Sequence, residues 1–223
     1  MIVLVTATGT DAGKTTLTRG LARAARRRGI DVVGIKPFET GVAGTAVDAA
    51  ALERAAGAAW PGPWFRAAAP VAPWAATVVG EGPVDWDGVV AAIRAAGRQH
   101  ELVLVEGAGG VRVPIDAERE VRDLARALDA RVLLVAPDVL GVLSYTLTAV
   151  DALEAFGVRP EIVLRAAPSP DLSAATNGTL LEKKLGRPVH RFPCVEGDDD
   201  TLAHAVERAG LLGVCLGAAT IHV

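Results

Sequence analysis

A parallel β-sheet covered by helices on both faces is the fold class this sequence predicts. Short runs rich in Val, Ile and Leu recur along the chain, nearly continuous rather than alternating, as in strands buried on both faces. Between them stand stretches with apolar residues at helical spacing. Alternation of that kind requires crossover connections, which make the strands parallel and lay helices against the sheet. The composition agrees: of 223 residues 51% are hydrophobic but only 4% aromatic, so small aliphatic side chains must close the core. A chain this long and this apolar folds around a core, and one domain over residues 1–223 accounts for it.

The first strand is "IVLVT" (2–6). The helix in "KTTLTRGLARAARRRG" comes next; it sets Leu17, Leu21, Ala24 and Ala25 on one face and closes at Gly29. "VVGIK" (32–36) is the second strand and "VDAAALERAAG" (47–57) the next helix. The segment 58–84 is rich in Pro, holds three of the four tryptophans and reads as a long ordered loop beside the sheet. Then come a helix in "DWDGVVAAIRAAG" (85–97), strands "LVLVEG" (102–107) and "VLLVAP" (132–137), a helix in "SYTLTAVDALEAFG" (144–157) and a fifth strand, "EIVLRA" (161–166).

Net charge is −3 with a pI near 5.8, which excludes a basic nucleic-acid surface. The run Arg26-Arg27-Arg28 falls at a helix end, where cations complement the macrodipole. Cys194 and Cys215 lie far apart without metal-ligand spacing and read as structural thiols of a reducing compartment. No apolar run reaches the length of a membrane span, and the first residues lack signal-peptide features. The expectation is a cytoplasmic protein with neither nucleic acid nor membrane as partner.

In such sheets ligands bind at the carboxyl ends of the strands, so the residues after each run are where chemistry belongs. After the first strand comes "TATGTDAGKTT" (6–16). Gly13, Lys14 and Thr15 supply a tight turn, a lysine for the β/γ-phosphates and a hydroxyl for Mg2+, between a buried strand and a helix start. The usual G-x-x-x-x-G-K-[ST] pattern would put a glycine where Thr8 stands. A small β-branched residue fits there if its own φ is negative, and Gly9 relaxes the backbone next to it. The context predicts a P-loop NTPase-like fold.

Two acids join Thr15 as candidate Mg2+ ligands, since that ion takes hard oxygen donors and keeps several waters. Glu106 closes a buried strand, where a carboxylate needs a partner or a cation, and the glycines after it leave room. Asp48 opens a helix, where an acid also serves the macrodipole, so both roles stay open for it. Lys36, at the end of what reads as a central strand, adds a second cation near Lys14. It is either salt-bridged scaffolding or half of a pair suited to charge developing on phosphoryl and carboxylate oxygens.

With these residues in view, the chain resembles the dethiobiotin synthetase family, ATP-dependent carboxylases late in biotin synthesis. That family's loop carries threonines at the places of Thr8 and Thr10 before a run closing in Gly-Lys-Thr. The match continues through Lys36-Pro37, Thr40-Gly41, Asp48 and Glu106-Gly-Ala-Gly-Gly110 to "DVLGVLSYT" (138–146), in order over residues 1–150. There are departures: Ala7 replaces a loop glycine, Ser144 and Tyr145 stand where Asn and His are common, and Leu164-Arg165 replaces an Asn that reads adenine. The last implies that several nucleoside triphosphates are accepted. "LGAATIHV" (216–223) matches nothing in the family.

The resemblance implies that 7,8-diaminopelargonate adds CO2 to form a carbamate, which attacks the γ-phosphate of ATP, after which the second amine closes a ureido ring and expels phosphate. Nucleotide would lie on Thr10, Asp11, Ala12, Gly13, Lys14, Thr15 and Thr16, with Glu196 of "FPCVEGDDD" (192–200) as a ribose acceptor. Thr15, Asp48 and Glu106 would hold Mg2+. Lys36, Lys14 and Thr10 would act on the carbamate and Thr40 on the amine. The substrate's far carboxylate would sit on the helix start at Gly141, Val142, Leu143 and Ser144, reached across a homodimer interface; Ser144 can also cap its own helix.

Two other classes share parts of the pattern. A switch ATPase of the partitioning or septum-site type carries a second loop lysine where this chain has Thr8. A cobyrinic-acid amidating synthetase is expected with a glutaminase domain, for which 223 residues leave no room. A non-catalytic relative would not be expected to keep Lys14, Thr15, Lys36 and Glu106 together.

Overall fold

The computed structural model describes residues 1–217. Its elements run β1 (Ile2–Ala7), α1 (Lys14–Arg27), β2 (Val32–Ile35), β3 (Phe38–Thr40), α2 (Val47–Ala56), β4 (Phe65–Ala67), α3 (Pro73–Val78), α4 (Trp86–Gln99), β5 (Leu102–Glu106), α5 (Val121–Ala127), β6 (Arg131–Asp138), α6 (Val142–Glu154), β7 (Glu161–Ala166), a 3-10 turn (Leu172–Ala175), α7 (Asn177–Leu185), β8 (Val189–Phe192), α8 (Asp199–Arg208) and α9 (Leu211–Leu216). Six strands form one sheet in the order β2-β5-β1-β6-β7-β8, every pair parallel.

Alternation along each strand divides the core. Val3 and Val5 of β1 face Leu17 and Leu21 of α1 and Val206 of α8. Leu4 faces the opposite layer, with Val89 and Ile93 of α4, Leu124 of α5 and Val150 of α6. The four α1 residues expected on one face are all fully buried. Gly20 lets α1 and α8 touch: a Cβ there would meet Val206 Cγ2 at 2.8 Å and the Leu202 carbonyl oxygen at 3.0 Å. Arg19 and Arg23 then bind Asp199 and Asp200 along that seam.

All five expected strands are present, and the differences lie at the edges. β8 escaped notice because an edge strand with His190 and Arg191 at its centre is not an apolar run. β2 proves to be the other edge, so Lys36 stands after an edge strand and not a central one. The segment 58–84 is more than a loop: it contains β4, which pairs with β3 in a small second sheet, and α3. The helix expected over 144–157 starts two residues earlier and ends at Glu154. The last six residues of "LGAATIHV" lie outside the described ones. Among the described residues no helix is long and apolar enough to cross a membrane.

Candidate active site

A cavity of about 600 Å³ opens at the carboxyl ends of β1, β5 and β7. Its floor is the loop between β1 and α1. Thr8 keeps a negative φ, as its place required, and its amide donates to the Val135 carbonyl at 3.0 Å. The loop's left-handed residues are Asp11 (φ 57) and Gly13 (φ 96), rather than Gly9. Gly13 is the N-cap of α1 and makes no side-chain cap bond, so the first amides of the helix have no competing side chain from the cap.

Lys14 lies 6% exposed with its ammonium donating to the Gly9 carbonyl at 3.0 Å. Burial, reinforced by the charge of Lys36, pushes its pKa down to about 8 against the pull of Glu106, Asp48 and Asp11. Lys36 sits deeper in a denser network. Its ammonium bonds Glu106 Oε1 at 2.5 Å, approaches Asp48 Oδ2 at 3.2 Å and reaches the Gly107 carbonyl at 3.4 Å. Burial works to lower its pKa too, but the two carboxylates outweigh burial and hold it above the ordinary value.

Glu106 is completely buried. Its Oε1 also accepts from Thr15 Oγ1 at 2.8 Å, while Oε2 has no hydrogen-bond partner among the described residues. A buried carboxylate oxygen left in that state favours a cation beside it. Of the glycines after Glu106, Gly109 lines the cavity, while Gly107 and Gly110 have another use. They let the loop pack tightly, since a Cβ on Gly107 would meet Val121 at 2.8 Å and one on Gly110 the Thr8 carbonyl oxygen at 3.1 Å.

Asp48 faces this network because Glu39, which sequence reasoning missed, fixes the start of α2. The Glu39 carboxylate accepts from the amides of Asp48 at 2.9 Å and Ala49 at 3.1 Å. With those amides satisfied by Glu39, the Asp48 side chain turns to Lys36. Among the described residues no group of three His, Cys, Asp or Glu could hold an ion alone. Thr15, Asp48 and Glu106 offer a hydroxyl and two carboxylates, a donor set that suits Mg2+ when water and phosphate oxygens complete the shell.

Thr10, Asp11, Gly13, Thr16 and Thr40 share the cavity wall with these groups. Ala12, in the same loop, is buried. Glu196 stands exposed after β8 and does not line the cavity. Gly141, Val142, Leu143 and Ser144 do not line it either. The cap of α6 is Gly141 itself (φ 95), so Ser144 does not cap the helix. A second cavity, of about 450 Å³, runs from Thr10 to Tyr145 and Thr148 of α6, so Thr10 borders both. Two wall components were not foreseen. The stretch 70–73, brought over by the β3–β4 pair, closes one side. On another side Arg165 bends across Gly13. Open amides, hydroxyls and two buried ammoniums around one space can bind and polarise a polyphosphate.

Comparison with known proteins gives concordant results. A family described as an AAA domain matches residues 2–196. The ATP-dependent dethiobiotin synthetase BioD of Anaeromyxobacter dehalogenans (strain 2CP-C) is 40% identical, with 86% of this chain and 86% of that protein aligned. The protein of the same name from Anaeromyxobacter sp. (strain K) is 38% identical over 97% of each chain. That from Rhodococcus jostii (strain RHA1) is 44% identical over 70% of this chain and 69% of its own. Among solved structures, chloroplast FtsY from Physcomitrella patens shares the fold at a TM-score of 0.56 and 17% identity, covering 92% of this chain and 64% of that one.

Proposed function

The chain belongs to the dethiobiotin synthetase family, an ATP-dependent ligase of biotin biosynthesis, and on that premise we propose that it joins 7,8-diaminopelargonate to CO2 with ATP to give dethiobiotin. The observation that carries the reading is the convergence of Lys14, Lys36, Thr15 and the half-satisfied Glu106 on one cavity at the strand ends.

One amine of the substrate attacks CO2, forming the N–C bond and releasing a proton. A carbamate oxygen then attacks the γ-phosphorus and ADP departs, leaving a carbamic-phosphoric anhydride. The second amine attacks the carbonyl carbon, loses its proton, and inorganic phosphate is expelled as the ring closes. The protein contributes position and fixed charge more than proton transfer. Gly13 to Thr16 cradle the triphosphate with their amides, and Lys14 tracks the transferring group. Lys36, held by Glu106 and Asp48, presents a rigid cation to the carbamate, with Thr10 and Thr40 as hydrogen-bonding neighbours on the same wall. Thr15, Asp48 and Glu106 would hold Mg2+, whose charge when bound neutralises the phosphoryl oxygens.

The protein acts as a homodimer in this reading, because the start of α6 lies outside its own cavity and an aliphatic carboxylate needs a site away from the phosphates. The two free thiols, Cys194 and Cys215, suit the cytoplasm. Purified protein given the diamine, bicarbonate, MgCl2 and ATP should form dethiobiotin and phosphate in equal amounts. Phosphate release without dethiobiotin would refute the assignment.

A further inference from the structure

Arg165 is a charged group in the cavity that the reaction above does not use. It lies near the end of β7, and its side chain folds over the phosphate loop. A Cβ built on Gly13 would stand 2.2 Å from Arg165 Cδ and 2.8 Å from Nε, so the side chain occupies the space that only a glycine leaves. The Nε is buried and has no hydrogen-bond partner among the described residues. Among the same residues no carboxylate pairs with it, whereas Arg191 on the neighbouring strand binds Asp138 at 3.0 Å. A guanidinium is thus held above the first turn of α1 with its donors uncommitted.

We infer that Arg165 is a specificity-determining residue that reads the phosphate chain by charge, so that recognition depends on the number of phosphates rather than the base. The inference rests on the nucleotide occupying this cavity as proposed above. Three considerations support it. The charges of Lys14 and Lys36 are countered by Glu106, Asp48 and Asp11, so a polyphosphate finds little surplus positive charge there without another cation. A guanidinium carries five donors and no acceptor, so it cannot pair with both the amino group and the ring nitrogen of adenine. Its planar fork does match two oxygens of a phosphate. The position over Gly13 also places it beside the amides that begin the phosphate cradle.

The test measures equilibrium binding of ATP, GTP, CTP and ADP to the full chain without diamine, for the native protein and for Arg165→Ala, Arg165→Lys, Arg165→Asn and Lys14→Ala, each checked for native circular dichroism. The native protein should bind the three triphosphates within about threefold of one another, and Arg165→Ala should weaken all three by about tenfold, the scale of one charge-assisted contact. The loss should be smaller for ADP, and Arg165→Lys should recover part of the affinity. Arg165→Asn should lose as much as alanine for GTP and CTP. Losses confined to one base would make Arg165 a base contact and overturn the inference, as would unchanged binding in Arg165→Ala while Lys14→Ala fails to bind. Unchanged binding in both variants would instead remove the nucleotide from this cavity and take the underlying reading with it.

Discussion

Two helices begin side by side at the ends of adjacent strands, α1 after β1 and α6 after β6, and their starts share one backbone device. Each is capped by a left-handed glycine, Gly13 at φ 96 and Gly141 at φ 95, without a side-chain cap bond or an acid in the first turn. Both therefore offer open amides to an anion. The surroundings differ. At α1 the first turn holds a buried lysine and a threonine bonded to Glu106, and loops from β2, β5 and β7 close over it. At α6 the first turn is Val-Leu-Ser-Tyr, with no cation, and Leu140 and Tyr145 are 79% and 61% exposed. A helix start specifies negative charge, but the residues delivered by other strands decide whether it becomes a reaction centre. Beside the α6 start the same chain delivers a carboxylate instead, Asp171, which accepts from the Leu140 amide at 2.7 Å.

The largest effect should come from removing the cation that distinguishes α1. Lys14→Ala should cut dethiobiotin formation by about a thousandfold or more, since the charge it neutralises is greatest in the transition state. Folding should survive, because in the free protein the ammonium is buried and repelled by Lys36. Circular dichroism and phosphate release measure the two halves. Near-native phosphate release would erase the contrast between the helix starts.

Next is the network behind that turn. Glu106→Gln leaves Lys36 with Asp48 as its one remaining carboxylate among the described residues, at a side chain 38% exposed, and should cost about 3 kcal/mol of stability as a broken buried pair does. It should also raise the Mg2+ concentration for half-activity. Asp48→Asn should shift that concentration in the same direction with a smaller stability loss, because Glu39 still fixes the start of α2. An unchanged Mg2+ dependence in either variant removes that acid from the metal set.

The legibility of these regions in the sequence depends on how local they are. The α1 start is contiguous, and "GKTT" after an apolar run declares it. Lys36 and Glu106 are visible because each stands at the carboxyl end of an apolar run, where ligands of a parallel sheet bind. Glu39 and the stretch 70–73 are not, because they are placed by β3 and β4, three-residue strands too short to show a period. Asp48 is visible, but what holds it in place is not. Arg165 stands out as a departure, yet its lean across Gly13 is a packing event between β7 and α1 that no local pattern encodes. The start of α6 was misplaced by two residues because Ser144 resembles a cap, while the glycine that does the capping looks like a loop residue.

A pH titration sharpens the contrast further, since a lysine stands in the first turn of α1 and none in that of α6. Lys14 falls from 10.5 to about 8 on folding, so between those values the unfolded chain binds more protons than the folded one. Stability of the free protein should therefore rise with pH across that window, and the penalty of charging Lys14 is fully present below it. Phosphate beside the ammonium favours the charged form, so nucleotide binding takes up a proton above about pH 8. Affinity for ATP should then weaken by up to about tenfold per pH unit there. Titration calorimetry in two buffers of different ionisation heat counts the proton, and Lys14→Ala should abolish the uptake.

The smallest effect belongs to α6 and tests whether its amides serve a second copy. A Cβ on Gly141 would lie 3.1 Å from the Tyr145 ring, at a φ that a side chain occupies only with strain. Gly141→Val should therefore cost about 1–2 kcal/mol locally and displace the first turn. The Val142 amide already donates to the Val139 carbonyl at 3.1 Å, so the amides of Leu143 and Ser144 are the ones to be lost as an anion site. The KM for the diamine should rise by about tenfold, the scale of a charge-assisted contact, while ATP affinity, set at α1, stays as it was. Shortening the substrate's chain or replacing its carboxylate with an amide should have the same consequence in the native protein and none in the variant. If the site is shared, light scattering should give twice the chain mass for the active species. Mixing Gly141→Val with Lys14→Ala should restore some activity, because a mixed dimer then holds one cavity with an intact lysine facing an intact α6. Activity that resides in a monomer, or no recovery on mixing dimers shown to exchange, would assign the carboxylate to another part of the protein and leave α6 as a helix start with open amides and no ligand.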